Sequence, residues 1–165
     1  MPGKSVDSQK ELLVKIMDQA FNKSAWHGTN LFGSISRLSL EQVVWRPTPK
    51  NHNIWEIALH TAYWKYALWR RLTGEARGTF PRRPSDWPKL PESLSIDNWK
   101  KDRDLLTHQH NLLRQAVLDC PSSRLNAAPR TSKWSLAQVI YGVASHDLYH
   151  AGQIQLLKRL QKTVK

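Results

Sequence analysis

Cysteine is almost missing from this 165-residue chain: Cys120 is the single one, so no internal disulfide can form. That usage fits a reducing, cytoplasmic setting. Cys120 stands just ahead of Pro121 at a helix end and reads as a structural thiol rather than a nucleophile. Long apolar runs are missing too. No stretch approaches the ~20 residues needed to span a membrane, and Met1-Pro-Gly-Lys-Ser-Val-Asp-Ser8 lacks the apolar core of a secretory signal. Apolar-polar alternation, the mark of a half-buried strand, is nearly absent, which argues against a sheet. Acidic residues are scarce, 13 against 25 lysines and arginines, for a formal charge of +12. Such a balance raises nucleic acid as a partner. The cations are dispersed, however, at Arg70-Arg71, Arg82-Arg83, Lys100-Lys101, Arg130, Lys158-Arg159 and Lys162 to Lys165. Neither helix-turn-helix spacing nor a glycine-aromatic RNA signature occurs. Most of this charge therefore reads as a solvated surface and nucleic acid is disfavoured. An anionic small substrate or a membrane-surface contact stays open.

What is present is helical periodicity over one domain, residues 1–165. The first segment runs from Ser8 to Asn22, with Leu12, Leu13, Ile16, Met17, Ala20 and Phe21 as its inward stripe. Gly28, Thr29 and Asn30 loosen the chain. A short helical piece follows through Leu31, Phe32, Ile35 and Leu38. Ser39 and Gln42 have capping-box spacing and open another brief turn, which Pro47 to Pro49 ends. Asn53 and Glu56 repeat that spacing at the start of a second long helix, stopped by Gly74. A third, capped by Ser95, spans Ile96 to Asp119 with Trp99, Leu105, Leu106, Leu112, Leu113 and Val117 inward. Ser135 and Gln138 cap a fourth, which runs to about Leu160. Between the second and third lies a stretch holding Pro81, Pro84, Pro88 and Pro91. It is longer than the ~2–8 residues that antiparallel neighbours need, so it crosses the bundle or lies over a site. The expected fold is all-α, a four-helix bundle with one long crossover.

Two histidines carry the strongest chemical signal. His146 and His150 sit in Leu136-Ala-Gln-Val-Ile-Tyr-Gly-Val-Ala-Ser-His-Asp-Leu-Tyr-His150. Four helical residues turn the chain ~40° past a full circle and advance it ~6 Å, so both rings leave one face. That face carries Val139, Val143, Ile154 and Leu157 and looks inward. Buried imidazoles need partners. Hydrogen-bonded core histidines and metal ligands are both open readings. A third ligand has five candidates. His27 and His52 lie in loops, and His108 and His110 diverge by ~160° on one helix. His60, between Ile57 and Trp64 on the inward face of the second helix, is placed best. His146-Asp147-Leu-Tyr-His150 also mimics the zinc-protease pattern His-Glu-x-x-His. Aspartate is a methylene shorter than glutamate, and little chain follows for a further ligand, so a protease is disfavoured. Asp147 reads as a partner near the ligands or a surface charge, and Tyr149 should face away from the histidines. Of the eight tryptophans, Trp64 and Trp99 read as inward, Trp26, Trp45 and Trp134 as bundle-end packing, and Trp87 as lining a pocket mouth.

Asn53-Ile-Trp-Glu-Ile-Ala-Leu-His60 and His146-Asp-Leu-Tyr-His-Ala-Gly-Gln-Ile154 resemble the DinB-like (DinB/YfiT-like) superfamily of metal-binding four-helix bundles. So do Trp26-His-Gly, Leu40-Glu-Gln-Val-Val-Trp-Arg-Pro47 and Asp86-Trp87-Pro88, in that order along nearly the whole chain. The resemblance implies a divalent metal ion, commonly zinc or nickel, held by His60, His146 and His150 with water completing the shell. It also implies a homodimer. Members with known activity are mainly transferases using a low-molecular-weight thiol, and a mycothiol-dependent isomerase. Others look like metal-dependent hydrolases, and many have no known activity. Family membership does not fix a reaction. Three readings follow for this chain: thiol S-transfer to a small-molecule substrate held under the crossover, hydrolysis of a small amide or ester, and a non-catalytic, stress-related metal-binding bundle.

Overall fold

A computed structural model describes residues 8–128 and 132–163. Residues 1–7, Arg130 and the last two residues of the basic tail lie outside the described residues. Four long helices form the body: α1 (Ser8–Phe21), α4 (Ile54–Thr73), α5 (Ile96–Asp119) and α7 (Leu136–Thr163). Three short ones, α2 (Leu31–Ile35), α3 (Leu40–Val44) and α6 (Ser122–Leu125), fill the bundle ends. The described residues contain no strand, and no helix among them is long and apolar enough to cross a membrane.

The helix ends follow from their capping chemistry. Asn53 accepts the Glu56 N–H while the Glu56 carboxylate accepts the Asn53 N–H, both at 2.9 Å, so α4 begins with two orphan donors satisfied. Gly74 ends it in the left-handed region at φ 82°, a conformation that a Cβ would strain. Ser95 caps α5 by accepting the Asn98 N–H at 3.2 Å. Ser135 and Gln138 close the same box on α7, at 3.2 and 2.8 Å.

Cross-helix contacts give the directions. Trp55 meets Asp102 near the starts of α4 and α5, and Leu72 at the end of α4 meets Arg124 of α6, just past the end of α5, so these neighbours run parallel. His60 meets His146, which meets His150 in turn, and Lys65 meets Asp147, so α7 runs antiparallel to α4. Lys10 against Leu118 and Asp18 against Arg114 make α1 antiparallel to α5. The 20 residues of α4 extend ~30 Å, so a parallel α5 cannot follow through a short turn. Residues 74–95 make that return without helix or strand.

Apolar side chains form two clusters. One holds Phe21, Leu31, Ile35, Trp55, Leu59, Leu106 and Ile154; the other holds Met17, Leu68, Leu113, Leu125, Leu136 and Ile140. Each fully buried large side chain is worth roughly 1.5–3 kcal/mol in transfer free energy. Trp55, wholly buried, also satisfies its indole N–H on Asp102 Oδ2 at 2.9 Å. Several details differ from the sequence expectation. Trp26 and Trp134, expected as bundle-end packing, are 98 % and 53 % exposed, since both stand on connecting segments outside the helices. Leu12 is 58 % exposed and Val14 is buried instead, because Val14 lies three residues from Met17 and seven from Phe21, on their row, while Leu12 is rotated off it. Trp64 is half-buried rather than fully inward; its ring borders a groove.

Candidate metal centre

α4 and α7 place three imidazoles against one another. His60 Nε2 lies 3.1 Å from His146 Nε2, which lies 3.0 Å from His150 Nε2. One nitrogen from each ring falls within 4.8 Å of the other two. The i, i+4 spacing on α7 supplies two of the rings, and the antiparallel packing of α4 supplies the third.

The outer nitrogens are held. His60 Nδ1 lies 2.7 Å from the Asp86 carbonyl oxygen, with Asp86 Oδ1 at 3.2 Å. Asp86 Oδ1 accepts from Trp64 Nε1 at 2.7 Å. Asp86 turns its carbonyl inward at φ 69°, a left-handed conformation that aspartate tolerates better than most residues. Trp87 stacks on His60 at 3.9 Å and 12°, and His52 stacks on Trp87 at 3.6 Å and 5°. His150 Nδ1 lies 2.7 Å from Gln153 Oε1, and the Gln153 amide donates to the Tyr149 hydroxyl at 3.0 Å.

These partners decide the tautomers. A carbonyl or amide oxygen can only accept, so His60 and His150 carry their proton on Nδ1 and turn the Nε2 lone pair inward. His146 Nε2, in contact with both, has at most one proton to offer. At least one close contact is then lone pair against lone pair, an arrangement a cation relieves. Burial keeps the rings neutral. It pushes His146 down to about 3, helped by the His150 and His60 rings and Lys65. It pushes His150 down to about 4, and it lowers His60 against the opposing pull of Asp86. Neutral imidazole is the form that binds metals. The donor set therefore fits a metal ion.

Two grooves meet at these rings. One, about 760 Å³, has His60 and His146 at its base and walls of Trp64, Trp134, Tyr141 and Val143. The other, about 580 Å³, touches all three histidines and is bordered by Lys50, Asn51, Trp87 and Gln153. Trp87 thus does line a pocket.

The remaining histidines stay apart. His27 and His108 are exposed; His52 stacks behind Trp87 and lines the second groove but brings no nitrogen to the converging three. His110 is buried on α5 against Phe21, with rings 3.9 Å apart. Asp147 corrects the sequence reading. It is 1 % exposed, neither at the surface nor bonded to an imidazole, and it pairs with the buried Lys65 of α4. Tyr149 points outward, 63 % exposed, yet its hydroxyl orients Gln153. Sequence reasoning missed Asp86 and Gln153. Gln153 was recoverable as the i+3 neighbour of His150, whereas Asp86 entered only within Asp86-Trp87-Pro88, and nothing local showed that its carbonyl turns toward His60.

No curated protein and no solved structure is significantly similar to this chain. The profile of the DinB superfamily matches residues 25–154, which include all three converging histidines and the loop that holds His60. With most of its length matched to that profile on an all-helical bundle, the chain belongs to the DinB superfamily.

Proposed function

We propose that His60, His146 and His150 ligate a divalent ion, zinc or nickel, and that the protein is a metal-dependent thiol S-transferase acting on a small-molecule electrophile. One observation carries the reading: three inward-facing, neutral imidazole nitrogens at the floor of two open grooves. A catalytic zinc site keeps three protein ligands and an open position, whereas structural sites are closed by four. Bound there, the ion supplies Lewis acidity that lowers the pKa of a thiol or a water.

The chain's own groups do the rest. The Asp86 carbonyl and Gln153 amide oxygen keep the protons on Nδ1 and fix the ring planes. Trp87 covers the outer face of His60 and keeps bulk water from it. The apolar walls of Trp64, Trp134, Tyr141 and Val143 suit the carbon skeleton of an electrophile. Lys50, Asn51 and Gln153 suit a polar thiol on the other side.

The test is a thiol-dependence screen. Zinc- or nickel-loaded protein is mixed with bacillithiol or glutathione and a chloro-aromatic electrophile, and the conjugate is quantified. Conjugation that requires both metal and thiol, and that disappears with the metal in His146→Ala, is expected. Absence of conjugation with every thiol discards the transferase, and turnover of a small ester without thiol assigns hydrolysis. Unchanged metal content in His146→Ala removes the ligand assignment.

A further inference from the structure

The cations of this chain are less dispersed in space than in sequence. Arg70 on α4 and Arg77, Arg82, Arg83 and Lys89 from the returning segment line one cavity of about 720 Å³, whose lining includes no carboxylate. It shares no lining residue with either groove at the histidines.

Arg82 has its counter-charge. Its Nε and Nη2 donate to Asp102 Oδ1 at 3.0 and 2.8 Å, and Asp102 is 2 % exposed. The other four have none: among the described residues no carboxylate pairs with Arg70, Arg77, Arg83 or Lys89. Arg70 Nε donates to the carbonyls of Glu75 and Ala76 at 3.1 and 3.0 Å, which orients the guanidinium without neutralising it.

The walls are built rather than loose. The Tyr66 hydroxyl accepts the Gly78 and Thr79 N–H groups, each at 3.2 Å, and ties the Arg77 end of the segment to α4. Phe80 is buried beside it. The Lys89 N–H donates to the Arg83 carbonyl at 2.9 Å, closing a turn that brings those two cations together. A concave site lined by one sign of charge concentrates its potential.

We propose that this cavity, between the C-terminal half of α4 and residues 77–89, binds a small polyanion bearing a phosphate or comparable dianionic group. Guanidinium groups grip such oxygens with paired donors. Tyr63 and Phe80 give an adjoining carbon skeleton an aromatic face. The cations converge on one hollow instead of tracking a stripe, which favours a small molecule over a duplex backbone. The inference is independent of the chemistry at the histidines.

Calorimetric titration with inorganic pyrophosphate, at ionic strength held constant with chloride, tests it. Saturable one-to-one binding is expected. The Arg83→Gln/Lys89→Gln variant should bind about tenfold more weakly or worse, with its melting temperature retained. Lys100→Gln/Lys101→Gln, altered on exposed positions of α5, should bind as the wild type does. His146→Ala should also bind unchanged, since pyrophosphate held by a metal ion would be lost there. The proposal is overturned by heats no larger than those of dilution into the chloride buffer, by equal losses in the two double variants, or by loss in His146→Ala. It is overturned too if duplex DNA binds through Arg83 and Lys89 and pyrophosphate fails to displace it.

Discussion

His60 and Lys65 are five residues apart on α4, and His146 and Asp147 are neighbours on α7, yet the two buried polar groupings they form have opposite character. In the first, three neutral rings turn their Nε2 atoms toward one point. In the second, an ammonium meets a carboxylate, and the Lys65 charge also sits 5.0 Å over the Phe21 ring. Burial pushes the Asp147 carboxyl up while the Lys65 ammonium and its hydrogen bond pull it down. The ammonium offsets that burial only in part: the carboxyl stays raised, and Asp147 Oδ1 is buried without a hydrogen-bond partner among the described residues. Yet the two opposite charges answer one another and leave no set of donors aimed at a common point. His110 stands beside it, 3.4 Å from Asp18 but out of hydrogen-bond alignment, with both ring nitrogens buried and unpartnered by protein atoms. Arg114 takes the Asp18 carboxylate instead, at 2.9 and 3.0 Å. Buried polarity by itself is thus no mark of a binding site. Convergence of groups that cannot satisfy one another is.

The largest expected effect lies in the Lys65–Asp147 pair. Lys65→Met or Asp147→Leu alone should cost about 3–5 kcal/mol, because each leaves a buried ionisable group without its partner. The double variant should recover most of that loss. Urea unfolding at neutral pH measures all three, and single losses below about 1 kcal/mol would show the pair reached by solvent.

The next effect separates the groupings directly. Zinc at a hundred times its dissociation constant should stabilise the wild type by about 2.7 kcal/mol. It should do the same for the Lys65→Met/Asp147→Leu variant and nothing for His146→Ala. Thermal unfolding with and without zinc reads this. Stabilisation retained in His146→Ala would move the metal elsewhere.

The smallest concerns acid. Burial, with Lys65 and Arg114 nearby, holds His110 down to about 2 from an ordinary 6.5. Below pH 6.5 the unfolded chain takes up a proton that the folded chain refuses. The stability this residue contributes is complete above 6.5 and drains as pH falls toward 2, at about 1.4 kcal/mol per pH unit. His60, His146 and His150 are lowered as well and steepen the wild-type slope. His110→Leu should therefore lose close to one proton's share of that slope, measured by urea unfolding between about pH 6 and 5. An unchanged slope would mean that His110 is protonated in the fold.

Much of this was legible because it is local. The boxes at Asn53 and Ser135, the left-handed stop at Gly74 and the shared face of His146 and His150 each depend on residues within one turn. Placing His60 on the inward face of its helix needed only its phase. Leu12 and Val14 exchange roles because a stripe on a short helix can be drawn two ways, and only packing against α5 and α7 chooses. Lys65 gives no sign of burial, since its charge reads as surface until Asp147 is seen across the interface. The cavity under residues 77–89 escaped for the related reason that dispersed cations gather only once the segment folds back.

Sequence alone determined the helices, their ends and the pairing of two imidazoles, since these follow from backbone geometry over a few residues. Tertiary structure decided the third imidazole's distance, the Asp86 carbonyl behind it and the charge that Asp147 meets. Those depend on how two antiparallel rods and a returning loop align, and that alignment is set by the packing of the whole core.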